Sequence, residues 1–213
     1  MPISKILNQN EIIKVDNGGL IRVESDGSLH VTASVVIDGD FSLGNTFWDD
    51  LKFPAAGINP PGAASDPGRD TTDGRLSFSA SAENIVAIQV QMPHNWKEGS
   101  AIYPHFHWSP TNTDTGNVLW QLKYKIANVN GTFPGAWTTL TKLDAGDGTS
   151  DQHQIAAFSA IPMTGYTLSC MMLILLSRVG DDGTDTYNAA CKLNEFDIHY
   201  QIDSFGSDEE YTK

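Results

Sequence analysis

The stretch 118-VLWQLKYKI-126 alternates without a break, with Val118, Trp120, Leu122, Tyr124 and Ile126 on one phase and Gln121, Lys123 and Lys125 on the other. Side chains two apart share a face of a β-strand, so these residues describe a strand with one face in a core and one in water. Residues 85–92 repeat the design, with Val86, Ile88, Val90 and Met92 inward and Gln89 and Gln91 outward. Further strands are expected at 76–80, 101–108, 137–143 and 193–202, whereas 152–158 is ambiguous. Residues 166–179 are apolar on both phases and read as a central strand covered on both sides. Gly-, Pro- and Asp-rich turns at 128–134, 144–151 and 180–185 separate them. Eight or so antiparallel strands with long end loops meet the requirement of a jelly roll. Pattern alone leaves an immunoglobulin-like sandwich open, though no Cys-Trp-Cys framework supports one.

Working outward, 213 residues with 40% hydrophobic and 18% charged composition give a globular chain, and 19 Gly with 10 Pro favour turns and strands over helices. A net charge of -13 argues against nucleic acid and anionic membrane as partners. The longest apolar run, 168–176, is too short to cross a bilayer and carries Ser169. No basic and then apolar stretch opens the chain, so a cytoplasmic origin is expected. Cys170 and Cys191 fall in apolar strands and are read as small hydrophobes rather than a bridge.

Residues 1–45 are written differently. Ile3, Ile6, Leu7 and Ile13 stand at near-helical spacing, so a short amphipathic helix and an extended arm are both open at 2–14. From 16 to 45, short apolar pairs alternate with Asn-Gly, Asp-Gly and Gly-Asp turns. Strands this brief are stabilised by stacking on copies of themselves, as in a fibre shaft, or remain plain hairpins. The expected division is an attachment arm and β-rich shaft over 1–45, followed by a jelly-roll sandwich over 46–213. Its first long loop, 54–74, is dense in Pro, Gly and Asp and needs a function or a buttress from a neighbouring subunit.

The chemically distinctive side chains gather in 91-QMPHNWKEGSAIYPHFHW-108 and in the last strand. His105 and His107 share a strand face opposite Phe106 and Trp108, and Glu195, Asp197 and His199 share a face opposite Phe196, Ile198 and Tyr200. The two strands are expected to be sheet neighbours or facing layers. Imidazoles two apart on a strand can share a divalent ion, so His105 and His107 are the candidate metal ligands. Gly99-x5-His105-x-His107 resembles the first motif of cupins, but Thr111 and Asn112 stand where the cupin glutamate belongs. A metal-dependent enzyme would have to complete its set from Glu195, Asp197 and His199. A structural ion between chains needs no open position, and simple hydrogen-bonded histidines need no ion at all. Asp144, Asp147 and Asp151, like Asp181, Asp182 and Asp185, offer oxygens for Ca²⁺, but neither run has the spacing of an EF-hand loop and both read as acidic turns. No nucleophile elbow, phosphate loop or Cys-His pair appears, so no catalytic or cofactor-binding residue is assigned. Trp108 and Trp120 read as core, and Trp96, in a loop, is the candidate for contact with a surface ligand such as a glycan.

The segments WDDLKFPA, MPHNWKEGSAIYPHFHW, GNVLWQLKYKIANVNGTFPG and NEFDIHYQIDSFGSDEEY together resemble a family of structural proteins of tailed bacteriophages and prophages. The likeness covers residues 47–213. It implies a virion component made in the bacterial host cytoplasm, a homotrimer of fibre, head-fibre or decoration type. Its N-terminal segment would dock on other virion proteins and its jelly-roll knob would face outward, in reach of a host-surface glycan.

Overall fold

The computed structural model describes residues 12–14, 20–23, 25–31, 45–60 and 62–212. The chain divides into two compact units, Met1–Phe41 and Ser42–Lys213.

In the first unit, β1 (Ile12–Lys14), β2 (Leu20–Val23) and β3 (Leu29–Val31) form an antiparallel meander in that order. Asp26 and Gly27 turn the chain between the last two. Gly27 takes φ 85°, and Asp26 Oδ1 accepts hydrogen bonds from the Ser28 N–H at 2.9 Å and its hydroxyl at 2.7 Å. Hairpins are therefore what this text forms where it is described; the helix or arm proposed for the first residues lies outside the described residues up to residue 11.

The second unit is an antiparallel sandwich built from β4 (Phe47–Pro54), β5 (Gly68–Arg69), β6 (Leu76–Phe78), β7 (Glu83–Gln91), β8 (Tyr103–Pro110), β9 (Asn117–Ala127), β10 (Thr138–Ala145), β11 (Gln154–Ala157), β12 (Met171–Val179) and β13 (Cys191–Ile202). One sheet runs β10-β9-β12-β7. The other runs β11-β8-β13, with β6 and β4 sharing the far edge of β13 and β5 beyond β6. The pairs β4 with β13, β7 with β12, β8 with β11 and β9 with β10 are nested one inside the next. A long double ribbon folded over in this way, closed laterally by β8 on β13 and β9 on β12, is a jelly roll.

The alternating faces close on an aromatic centre. Trp120 of β9 lies edge-on to Phe78 at 5.6 Å, Phe106 at 4.8 Å and Trp108 at 5.9 Å between ring centroids, geometries that suit the ring quadrupoles. Arg178 of β12 is also fully buried. It holds Asp185 through Nε at 2.9 Å and Nη2 at 2.8 Å and donates to the carbonyls of Tyr187, Ala189 and Phe78.

Three expectations are corrected. The apolar run at 166–179 yields a strand only from Met171, because Ser169 at φ 59° turns the chain before it. Nor is β12 covered on both faces: Leu173 and Leu175 lie outward, half-buried, in register with Lys125 and Lys123, whose aliphatic stems can cover them. The loop after β4 is buttressed from within its own chain, since Arg69 donates to the carbonyls of Ala55, Ile58 and Gly74. The acidic turns, by contrast, behave as turns and bind their own surroundings. Asp144 accepts from Trp108 Nε1 at 2.8 Å, Asp151 pairs with Arg75 at 2.6 Å, Asp147 and Asp182 bond backbone N–H groups two residues on, and Asp185 belongs to Arg178.

Cys170 and Cys191 are both buried and free. Burial raises each thiol to about 12.

Candidate functional site: a histidine–carboxylate face

The outer face of β4-β13-β8-β11 carries the site. Strand β13 pairs with β8 so that Asp197 stands opposite His105, Glu195 opposite His107 and His199 opposite Tyr103. On its other edge Asp197 faces Lys52 and His199 faces Asp50. The two polar strands of the sequence are thus sheet neighbours.

A β-bulge between Leu193 and Glu195 sets this up. Cys191 and Leu193 point into the core, and so do Phe196, Ile198 and Tyr200. These two sets are out of phase in a period of two, and the extra residue, Asn194, absorbs the difference. Strand alternation then sends Glu195, Asp197 and His199 outward together. The edge partner of β13 changes from β6 to β4 at the same point.

Asp197 is the centre of the cluster and is 3% exposed, although it lies on an outer face. His105 Nε2 is 2.6 Å from Asp197 Oδ1, and His107 Nε2 is 3.1 Å from Oδ2. The carboxylate therefore sits between the two imidazoles of the His-x-His pair, which do not converge on a point of their own. The His107 contact is a well-formed hydrogen bond; the His105 contact is shorter but poorly aligned, and among the described residues no other donor reaches Oδ1. Burial opposes charge on both groups, yet their mutual attraction prevails: His105 is raised above the usual imidazole range and Asp197 is lowered below the usual carboxylate range.

Two residues that the sequence did not single out complete the network. His153 Nε2 lies 2.6 Å from His107 Nδ1, and Asp50 Oδ1 lies 2.9 Å from His199 Nε2. His153 lies within 152–158, the segment whose periodicity is ambiguous. Asp50 follows an aromatic pair and is one acid among 26. Four of the six histidines thus share one face. Among the described residues, two overlapping sets offer metal-ligating atoms within 4.8 Å of one another, His105 with Asp197 and His199, and His107 with Glu195 and Asp197.

Next to this network the face is apolar. Trp48 is 54% exposed and meets Tyr103 edge-on at 5.3 Å, and Ile155 of β11, opposite His107, is 51% exposed. Trp48, Tyr103 and His199 line an open hollow of about 540 Å³. Trp96 plays no part in it. That side chain is fully buried, with its backbone bridged to Ile202, and is not a surface-ligand contact. The loop was read correctly, but a side chain in a loop has no period to say which way it points, and this indole turns under the sandwich.

No protein-family model matches the chain, and no curated protein does. Among solved structures, 70% of the chain is similar to 23% of the isomalto-dextranase of Arthrobacter globiformis T6 complexed with panose, at 18% identity and TM-score 0.39. A carbohydrate-binding module of the β-sandwich superfamily is similar over 87% of this chain and 71% of its own, at 10% identity and TM-score 0.31. A structure of infectious bursal disease virus, Gx strain, is similar over 90% of this chain and 69% of that one, at 10% identity and TM-score 0.29. The chain spans about a quarter of the isomalto-dextranase. Likeness at this level lends the chain neither a family nor a function.

Proposed function

We propose that the protein is a structural component of a tailed-phage particle. It assembles as a homotrimer through the outer face of β4-β13-β8-β11, and the segment before the sandwich attaches it to other virion proteins. The observation that carries this reading is where the phage-like segments fall in the fold. While GNVLWQLKYKIANVNGTFPG forms β9 of the opposite sheet, the other three of the four lie in neighbouring strands of one sheet, WDDLKFPA in β4, the HFHW end of the second segment in β8 and NEFDIHYQID in β13. Their common outer face, with β11, holds Trp48, Tyr103 and Ile155 exposed around a nearly buried carboxylate. Large apolar side chains gathered on the water side of a sheet mark a surface that meets another protein. The trimer is the assembly that the resemblance implies.

The test is sedimentation of the full chain at micromolar concentration, together with detection of the chain in purified virions of the phage that encodes it. A species of three times 23.1 kDa is expected, dissociated by Trp48→Glu with Tyr103→Glu. A strict monomer that reaches particles without residues 1–45 overturns the reading.

The exposed Trp48–Tyr103 pair favours a glycan ligand as a second reading, one that competes with burial of the same pair between chains, because aromatic faces stack on sugars. Silence on a glycan array, or binding indifferent to Trp48→Ala, removes it.

A further inference from the structure

We propose that the protein binds one divalent transition-metal ion per chain, Zn²⁺ by the chemistry of its donors, through His105, Asp197 and His199. The ion is held within one chain, by a set different from the His-x-His pair that the sequence suggests.

The donor set is assembled by the fold. His105 Nε2 is 2.6 Å and His199 Nε2 3.9 Å from the Asp197 carboxylate, and the three ligating atoms lie within 4.8 Å of one another. Donors on one Zn²⁺ at about 2.0–2.2 Å stand roughly 3–3.5 Å apart in a tetrahedron. To take an ion the His105–Asp197 pair, 2.6 Å apart, must open by somewhat under an ångström and His199 must close by about as much, and His199, whose side chain is 44% exposed, has the freedom to do so. Two imidazoles and one carboxylate suit a borderline cation, whereas Ca²⁺ and Mg²⁺ prefer shells of oxygen.

Asp197 supplies the independent sign of a missing ligand. A carboxylate 3% exposed needs its lone pairs satisfied, and Oδ1 has only the His105 Nε2 contact at 2.6 Å, poorly aligned for a hydrogen bond, so it keeps a lone pair for a further partner. Its other oxygen is fixed by His107, which is itself held by His153, so the carboxylate is presented by a supporting pair of the kind that orients metal ligands. Asp50 Oδ1, 2.9 Å from His199 Nε2, is close enough to join the shell. The hollow bordered by Trp48 and Tyr103 reaches His199 from outside and gives an ion its way in.

The experiment uses the full chain, stripped by chelator and titrated with Zn²⁺ in competition with a chromophoric chelator. One ion per chain is expected. Loss of an outer partner alone costs about 10–100-fold in metal affinity, so His199→Ala and Asp197→Asn should each weaken binding by more than about 100-fold. His94→Ala is the matched control, because His94 bonds Ser169 and Ser207 and belongs to neither ligand set; its affinity stays that of the wild type. Co²⁺ in place of Zn²⁺ should give visible ligand-field bands that His199→Ala abolishes. No binding above the chelator baseline, affinity unchanged in His199→Ala, or displacement of Zn²⁺ by equimolar Ca²⁺ overturns the proposal. Should Asp197→Asn fail to fold, the exposed His199 still decides. Because binding is read on the isolated chain, its failure leaves the particle assignment untouched.

Discussion

Replacing Arg178 by methionine probes how the two sheets are tied together. The guanidinium is wholly buried, and Asp185, its partner in two bonds, has a side chain equally removed from water. Burial disfavours the charge on Arg178, but the Asp185 contacts outweigh it and raise the group above its usual value. Its nitrogens reach the carbonyls of Tyr187 at 2.6 Å, Ala189 at 2.7 Å and Phe78 at 3.3 Å, and Asp185 Oδ2 also accepts the Leu119 N–H at 2.9 Å. One ion pair therefore joins β12 and β9 of one sheet to β6 and the approach to β13 in the other. Methionine fills much of the volume but leaves the buried carboxylate with only the Leu119 N–H and takes a charged donor from each of three carbonyls. Removing one partner of such a pair costs about 3–5 kcal/mol. The orphaned carbonyls would each cost about 1–3 kcal/mol in full, a sum that relaxation and entering water reduce. Taking about 4 kcal/mol, and about 2–4 °C per kcal/mol for a chain of this size, the melting temperature should fall by roughly 8–16 °C. Calorimetry at neutral pH measures it. Arg178→Met with Asp185→Asn should be more stable than Arg178→Met alone, since it removes the stranded charge and keeps an acceptor for Leu119. A melting point within about 2 °C of wild type, or strict additivity of the two substitutions, refutes the claim that the pair acts as a unit.

Two other outcomes are expected. Trp96→Ala should destabilise the sandwich by about 3–5 kcal/mol, as emptying a large aromatic site does, and should leave any glycan binding of the remaining folded protein unchanged; urea titration reads the first and a glycan array the second. Asp73 is held down at about 2 from 3.8, chiefly by the Arg75 side chain, so it contributes stability that is complete above 3.8 and is lost as pH falls towards 2. Thermal melts of Asp73→Asn should accordingly show a shallower loss of stability across that window, and a slope equal to wild type contradicts the assignment.

Periodicity carried the sandwich further than it carried the site. The unbroken alternation of 118–126 and 85–92 specified two strands and their inward faces; β9 buries Val118, Trp120, Leu122 and Ile126 with Tyr124 half-buried, and β7 buries Val86, Ile88 and Val90. Nesting of the strand pairs was open to inference only through strand count, because a period of two gives a strand's face and not its neighbour. The same limit explains the misreading of 166–179. Apolar residues on both phases imply cover on both sides only when a second layer supplies it, and here lysine stems in register stand beside the outer leucines. Arg69 and Arg178 were silent in the sequence for a related reason. Each works by reaching carbonyls, and a carbonyl has no signature in the residue that bears it.

The histidine–carboxylate face was half legible, and the missing half is a single residue. The strand readings at 101–108 and 193–202 placed His105 and His107 on one face and Glu195, Asp197 and His199 on one face, which the coordinates bear out. What no alternation could say is that Cys191 and Leu193 also point inward. Continued in phase from those two, Glu195, Asp197 and His199 would enter the core, where a carboxylate and an imidazole facing Trp108 and Phe106 would be prohibitive. The bulge at Asn194 turns the phase over, and Asn194 is secured there by its own bonds to Ser109 and Arg75. One inserted residue thus lets β13 serve the core with both of its halves and still present three ligating groups to β8 and β4. A structural strand had no need of such a device, since changing Cys191 and Leu193 to polar residues would have kept a simple alternation. Spending a bulge at the strand's midpoint to bring Asp197 level with His105 is the arrangement expected where the outward residues matter as a set.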